Sequence, residues 1–200
     1  RIFEMPGMCM SAVLPNDSKA VALSDPTYLQ GIPPALLNSA DIEAYATQLE
    51  PKLFEPFNKK YLKPATYEIP FEGDLYFWSD AESALISPLQ KIPLAKDGQF
   101  TIPPNSIVYV SPATVFRVPH FLALRFNLTI KLVHRGLLLG TGPLVDPGFA
   151  GRLLIPLHNL TSQSFVVCGD EGFIWVEVTK ISPVRTGTVQ ASFPPDKRER

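Results

Sequence analysis

Proline recurs 21 times in this 200-residue chain, and that density limits the fold more than any other feature. Proline fixes φ and has no N–H to donate, so it ends helices and is confined to the edges, first positions and bends of sheets. A chain punctuated in this way must be assembled from short elements. From Ala65 onward the segments between the punctuation marks include ATYEIPF, DLYFWS, QFTIPP, SIVYVSP, FLALRFNLTIKL, GRLLIPLHN, SFVVCG and GFIWVEVTKI. They are rich in β-branched and aromatic residues and bounded by Pro, Gly, Asp or Asn, which is the pattern of short strands. Their spacing predicts an all-β barrel or sandwich. Prolines such as Pro70, Pro112 and Pro156 are expected to put several strands at edges or bends.

Before the strands the grammar differs. Residues 1–35 carry Pro6, Pro15, Pro26, Pro33 and Pro34 with little periodicity, the mark of an extended arm lying over its own domain or a neighbouring subunit. The stretch LLNSADIEAYATQLEPKLFEPF then supplies Asn38 or Ser39 as a cap, acids at Asp41 and Glu43, and apolar Ile42, Tyr45, Ala46 and Leu49 at helical spacing. A helix ending before Pro51 follows, with a second short helical turn somewhere in 52–63. The expected organisation is an arm at 1–35, a β domain at 36–182 and a charged tail at 183–200. The chain opens on Arg1, from which a processed chain or a piece of a longer one is expected.

Composition excludes some functions. With 46% hydrophobic residues the chain can bury a sizeable core. Lys+Arg 18 against Asp+Glu 19 gives net charge -1, so no global field draws nucleic acid or an anionic membrane. No run is long and apolar enough to span a bilayer, and no secretory signal core stands at the start; a cytoplasmic location or a viral particle is expected, not secretion. Cys9 and Cys168 are too few for a disulfide framework. His120, His134 and His158 are not at metal-ligand spacing, and the nucleophile-elbow and phosphate-loop motifs are absent.

One stretch remains unexplained by strand grammar: LLLGTGPLVDPGFAGRLLIPLHNLT, residues 137–161, where a lone acid, Asp146, is wrapped in glycines and prolines. It reads either as a long hairpin connection or as a backbone-lined pocket with an acid at its floor. Upstream, NLTIKLVHRG brings Lys131, His134 and Arg135. Cations and free amides near one carboxylate can hold a phosphorylated ligand; on a strand, Lys131 and Arg135 share a face and can equally be solvated.

The residues from Val118 to Asn159, with VDPGFAG at their centre, resemble the core of the dCTP deaminase and dUTPase superfamily, the deaminase branch most of all. LLNSADIEAY is similar to that branch's opening, PATYEIPFEGDLYF to its early strand pair, and SFVVCGDEGFIWVEV to its Gly-Asp turn and final strand. The resemblance implies a curved, barrel-like β-clip fold with one or two short N-terminal helices, assembled as a homotrimer with sites at subunit boundaries. It implies a pyrimidine deoxynucleoside triphosphate carrying Mg²⁺ on its phosphates. Asp146 matches the acid of the Asp-Pro-Gly turn and Phe149 the aromatic that supports the sugar, while Thr141 and Gly142 fall where the backbone meets the base. The departures are as specific. Thr129, Ile130 and Lys131 stand in place of the deaminase's Arg-Ser-Ser, His134 in place of its next Arg, and Pro156 in place of its general-base Glu. A register shift of one or two residues lets Thr129 supply the hydroxyl, and Lys131 with Arg135 the phosphate-binding cations. A proline cannot do acid–base work, so the resemblance leads to a trimeric domain that is not catalytic, binding a nucleotide or serving as an assembly component through its arm. The alternative is an active deaminase or dUTPase with relocated catalytic groups.

Overall fold

The computed structural model describes residues 25–78, 89–140 and 144–182. Helix α1, Ser39–Gln48, is capped by Asn38, whose side chain accepts from the backbone N–H groups of Ala40 and Asp41 at 2.8 and 3.1 Å; such a cap contributes about 1 kcal/mol. Its Ile42, Tyr45 and Ala46 are buried, as the helical spacing predicts. The short turn expected within 52–63 is a 3₁₀ turn at Lys59–Tyr61.

The strands are β1 Phe54–Glu55, β2 Tyr67–Pro70, β3 Gly73–Trp78, β4 Leu89–Leu94, β5 Gln99–Ile102, β6 Ser106–Pro112, β7 Val115–Arg117 and β8 Leu122–Leu128. After a second helix, α2 Ile130–His134, come β9 Leu137–Leu139, β10 Leu144–Val145, β11 Ala150–Gly151, β12 Ile155–Asn159, β13 Phe165–Cys168 and β14 Gly172–Lys180. Every strand pairing among the described residues is antiparallel, in the orders β10-β8-β14-β2, β4-β3-β6-β12-β9, β1-β7-β11 and β13-β5. The mainly β expectation holds. Alternation along β8 buries Leu122, Leu124, Phe126 and Leu128, and the inward residues of β14 meet them in one core with Leu75, Val108, Val110, Ile155 and Leu157 from the larger sheet. Aromatic packing closes one end: the Phe54 ring stacks on Tyr67 at 5.0 Å and meets Phe116 edge-on at 5.6 Å, pairs that add to what burial alone supplies.

Two expectations need correction. The run FLALRFNLTIKL is not one strand; β8 stops at Leu128 and the chain turns into α2, the backbone N–H of Thr129 donating to the Phe173 carbonyl and the Thr129 carbonyl accepting from Leu132 and Val133. Helix α2 therefore lies mid-chain, beyond the N-terminal helix and short turn that were expected. Pro156, expected at an edge or bend, lies on β12 between β6 and β9. It is tolerated because its missing N–H faces the end of β9: the Gly140 N–H donates to the Pro156 carbonyl at 3.0 Å, and the return bond of that antiparallel pair cannot form. The ladder stops there, at Leu139.

Of the expected N-terminal arm, residues 25–35 are described and 1–24 lie outside the described residues. Leu29 is buried in the core. Lys180, only 9% exposed, binds Asp25 at 2.6 Å and donates to the Leu29 carbonyl at 3.1 Å, while the Tyr45 hydroxyl donates to Asp25 at 3.1 Å. Burial first, then the Asp25 carboxylate, pushes the Tyr45 phenol well above its ordinary range. The expected tail at 183–200 also lies outside the described residues.

Candidate functional site

Asp146, Pro147, Gly148 and Phe149 form a tight reverse turn. Proline at the second position and glycine at the third with φ 86° are the type II signature, closed by the Phe149 N–H donating to the Asp146 carbonyl at 3.2 Å. Two further bonds pin this turn to the end of β7: Gly148 N–H donates to Val118 carbonyl and Val118 N–H to Phe149 carbonyl, both at 2.8 Å. The turn residues are thus spent on presenting one acid, because the Asp146 side chain is left exposed. It stands at a cleft of about 660 Å³ lined also by His120, Phe126, Phe149, Arg152 and Leu153.

Arg152 anchors that cleft from beneath. Its Nε donates to the Pro112 carbonyl at 2.7 Å, Nη1 to Asp74 Oδ2 at 2.7 Å, and Nη2 to the Ser111 carbonyl. Asp74, 8% exposed, also pairs with Lys91 at 3.2 Å. A planar guanidinium with five fixed donors suits this three-way contact, where an ammonium would not.

The structure brings together some of the residues expected from the sequence and separates others. Asp146 and Phe149 both line the cleft. Thr141 and Gly142 lie outside the described residues. Lys131, His134 and Arg135 sit on or just after α2. Val145 pairs with Leu124, whereas α2 follows Leu128, so within one chain about 16 Å of strand separates the cations from the acid. Lys131 and Arg135 are moreover engaged by Glu171 at 3.3 and 3.7 Å, and the Arg135 guanidinium lies 4.0 Å over the Phe165 ring. His134 is exposed. Sequence reasoning missed His120 and Arg152 at the cleft. Arg152, a lone cation opening an otherwise apolar run just after the turn, was the available signal; His120 carried none, since its approach depends on the β7–β8 connection.

The class these features define is a curved, antiparallel β domain that presents an Asp-Pro-Gly acid at the mouth of an open cleft. No family model matches the sequence. Among curated proteins the chain is similar to the dCTP deaminase of Thermococcus kodakarensis, 28% identical over 130 residues spanning 64% of this chain and 76% of that protein. It is also similar to the dUMP-forming dCTP deaminase of Tropheryma whipplei, 27% identical over 137 residues, 64% of this chain and 68% of that one. Among solved structures it matches the 2'-deoxycytidine 5'-triphosphate deaminase from Agrobacterium tumefaciens with a TM-score of 0.60 at 10% identity, covering 74% of this chain and about half, 48%, of that one. The sequence similarity, with a fold shared with a dCTP deaminase, supports the resemblance to the dCTP deaminase/dUTPase superfamily that the VDPGFAG turn carries.

Proposed function

We propose that this domain holds a pyrimidine deoxynucleoside triphosphate in the Asp146 cleft and does not deaminate it. The observation that carries the reading is the pairing of a built acid-presenting turn with Pro156 on β12, where the deaminase resemblance calls for a general base. Among the described residues Asp146 is the one carboxylate lining the cleft, Phe149 offers a ring face for a sugar, and loss of a general base alone costs roughly 10² to 10⁴ in rate. Among the described residues no three His, Cys, Asp or Glu side chains group to hold a metal. In this reading Mg²⁺ enters as a companion of the nucleotide's phosphates.

Self-assembly is part of the proposal. Ile107, His158 and Leu138 lie in one register row across β6, β12 and β9. Ile107 and Leu138 are 39% and 47% exposed, and Leu144 and Leu154 at the cleft are 61% and 44% exposed. Apolar side chains left open in this way support packing against further copies of the chain, as a homotrimer in which α2 of one subunit can approach the Asp146 cleft of another. The same surfaces support a second reading, a structural trimer without ligand that joins a larger assembly through residues 1–35.

The deciding experiment is thermal denaturation with dCTP, dUTP or dTTP plus Mg²⁺, paired with product analysis and light scattering. A ligand at about 100 times its dissociation constant adds about 2.7 kcal/mol, and Asp146→Asn should reduce that gain. A trimer with no shift from any nucleotide selects the structural reading. Formation of dUTP or dUMP overturns the non-catalytic one, and a monomer overturns the assembly.

A further inference from the structure

Lys131 and Arg135 stand four residues apart, at the second position and the C-terminal cap of α2, a spacing that puts two side chains on one face of a helix. Like charges placed so repel, and a helix of five residues has little of its own to set against that. Here the pair is held by an acid from another element. Lys131 Nζ lies 3.3 Å and Arg135 Nη1 3.7 Å from the same oxygen, Oε1 of Glu171 in the β13–β14 turn.

Glu171 is built into that position. Its N–H donates to the Cys168 carbonyl and its carbonyl accepts from the Phe71 N–H, both at 3.0 Å, and Phe71 stacks on Phe173 at 4.5 Å in the core. The Thr129 N–H, at the start of α2, donates to the Phe173 carbonyl, so helix and turn are tied to each other. The acid's side chain is 20% exposed, whereas those of the two cations are 54% and 51% exposed. The grip itself is loose. Lys180 on Asp25 and Arg152 on Asp74 close to 2.6 and 2.7 Å, and charge-assisted hydrogen bonds run at about 2.7–2.9 Å; neither contact of Glu171 reaches that distance. One carboxylate facing two cations also leaves a positive charge unbalanced within the cluster, with the Arg135 guanidinium kept in place over the Phe165 ring at 4.0 Å. A polyphosphate offers the same pair several oxygens and more than one negative charge.

Resting on the nucleotide reading above, in which α2 of one subunit approaches the Asp146 cleft of another, we infer that Glu171 is the resident counter-anion of Lys131 and Arg135. A polyphosphate must displace it, so Glu171 sets how tightly this chain holds the phosphates of a nucleoside triphosphate. In the free protein the same acid supplies the negative charge that the α2 pair needs.

Calorimetric titration of the unaltered protein and of Glu171→Gln, at one ionic strength, with inorganic tripolyphosphate and with dUTP plus Mg²⁺, tests this. The substitution keeps the length of the side chain and both backbone bonds of residue 171. Glu171→Gln should bind tripolyphosphate about fivefold more tightly, and the gain should vanish once Lys131→Met and Arg135→Met are added. Tripolyphosphate that binds neither protein, or either probe binding both proteins alike, overturns the competition. A gain that survives loss of the two cations is an effect of net charge alone and overturns it too. A tripolyphosphate gain of the expected size with no binding of dUTP to either protein upholds Glu171 as the counter-anion and removes the nucleotide reading instead.

Discussion

Replacing Arg152 with methionine removes the clamp beneath the Asp146 cleft while keeping most of the side chain's bulk. Three bonds are lost together: one to the Asp74 carboxylate at 2.7 Å, one to the Pro112 carbonyl at 2.7 Å and one to the Ser111 carbonyl. Asp74 keeps Lys91 at 3.2 Å, but that lysine is half exposed and screened, so it offsets only part of the loss. The two carbonyls cost about 1 kcal/mol each, and a largely buried carboxylate stripped of its main partner about 1 to 2 kcal/mol more. Arg152→Met should therefore destabilise by about 3 to 4 kcal/mol, a fall in Tm of about 10 °C for a domain of this size. Arg152→Lys should recover only the charge and lose the fork, and so fall between. Guanidinium denaturation gives the value, provided the m-value is unchanged. A cycle with Asp74→Asn should return a coupling energy above about 1 kcal/mol. A loss below about 0.5 kcal/mol, or strictly additive variants, would refute the idea that this guanidinium supports the cleft.

Two further outcomes follow from the same geometry. Tyr45 keeps its proton in the fold to a higher pH than the ordinary phenol value near 10, because burial and Asp25 disfavour its anion; Tyr67 is shifted the same way, by burial above all. The stabilising contribution of a group raised in the folded state is complete below its unfolded value and is lost as pH rises through the folded one. Stability should thus fall above pH about 10, less steeply in Tyr45→Phe, as denaturation midpoints across alkaline pH would show. Gly148→Ala forces a side chain onto φ 86° and should cost about 1 to 2 kcal/mol; nucleotide-dependent stabilisation should fall further than stability does, because the turn that aims Asp146 is displaced.

Much of the fold was legible because its signals are local. Asn38 caps α1 through its own side chain, strands alternate along β8, and the Pro147–Gly148 pair writes a type II turn directly into sequence. The α2 helix was not legible, since Ile130, Val133 and Thr129 favour strands on propensity. The helix there is set by tertiary contact, Thr129 being held by the Phe173 carbonyl on β14. The candidate site was half legible for the same reason. Asp146 and Phe149 belong to one turn, but Arg152 acquires its place from carbonyls of β6 about 40 residues away in sequence, and no spacing rule announces that.

Pro156 also sets how far the β9–β12 ladder can run. A single substitution to glutamate would place an acid at the position the deaminase resemblance assigns to the base, and would at the same moment restore a backbone donor opposite Gly140. The strand ladder, now halted at Leu139, could then run one pair further and draw in the start of the segment that leads to the Asp-Pro-Gly turn. Side-chain chemistry and backbone pairing are tied at this one residue, so placing an acid there is not a neutral exchange of side chains.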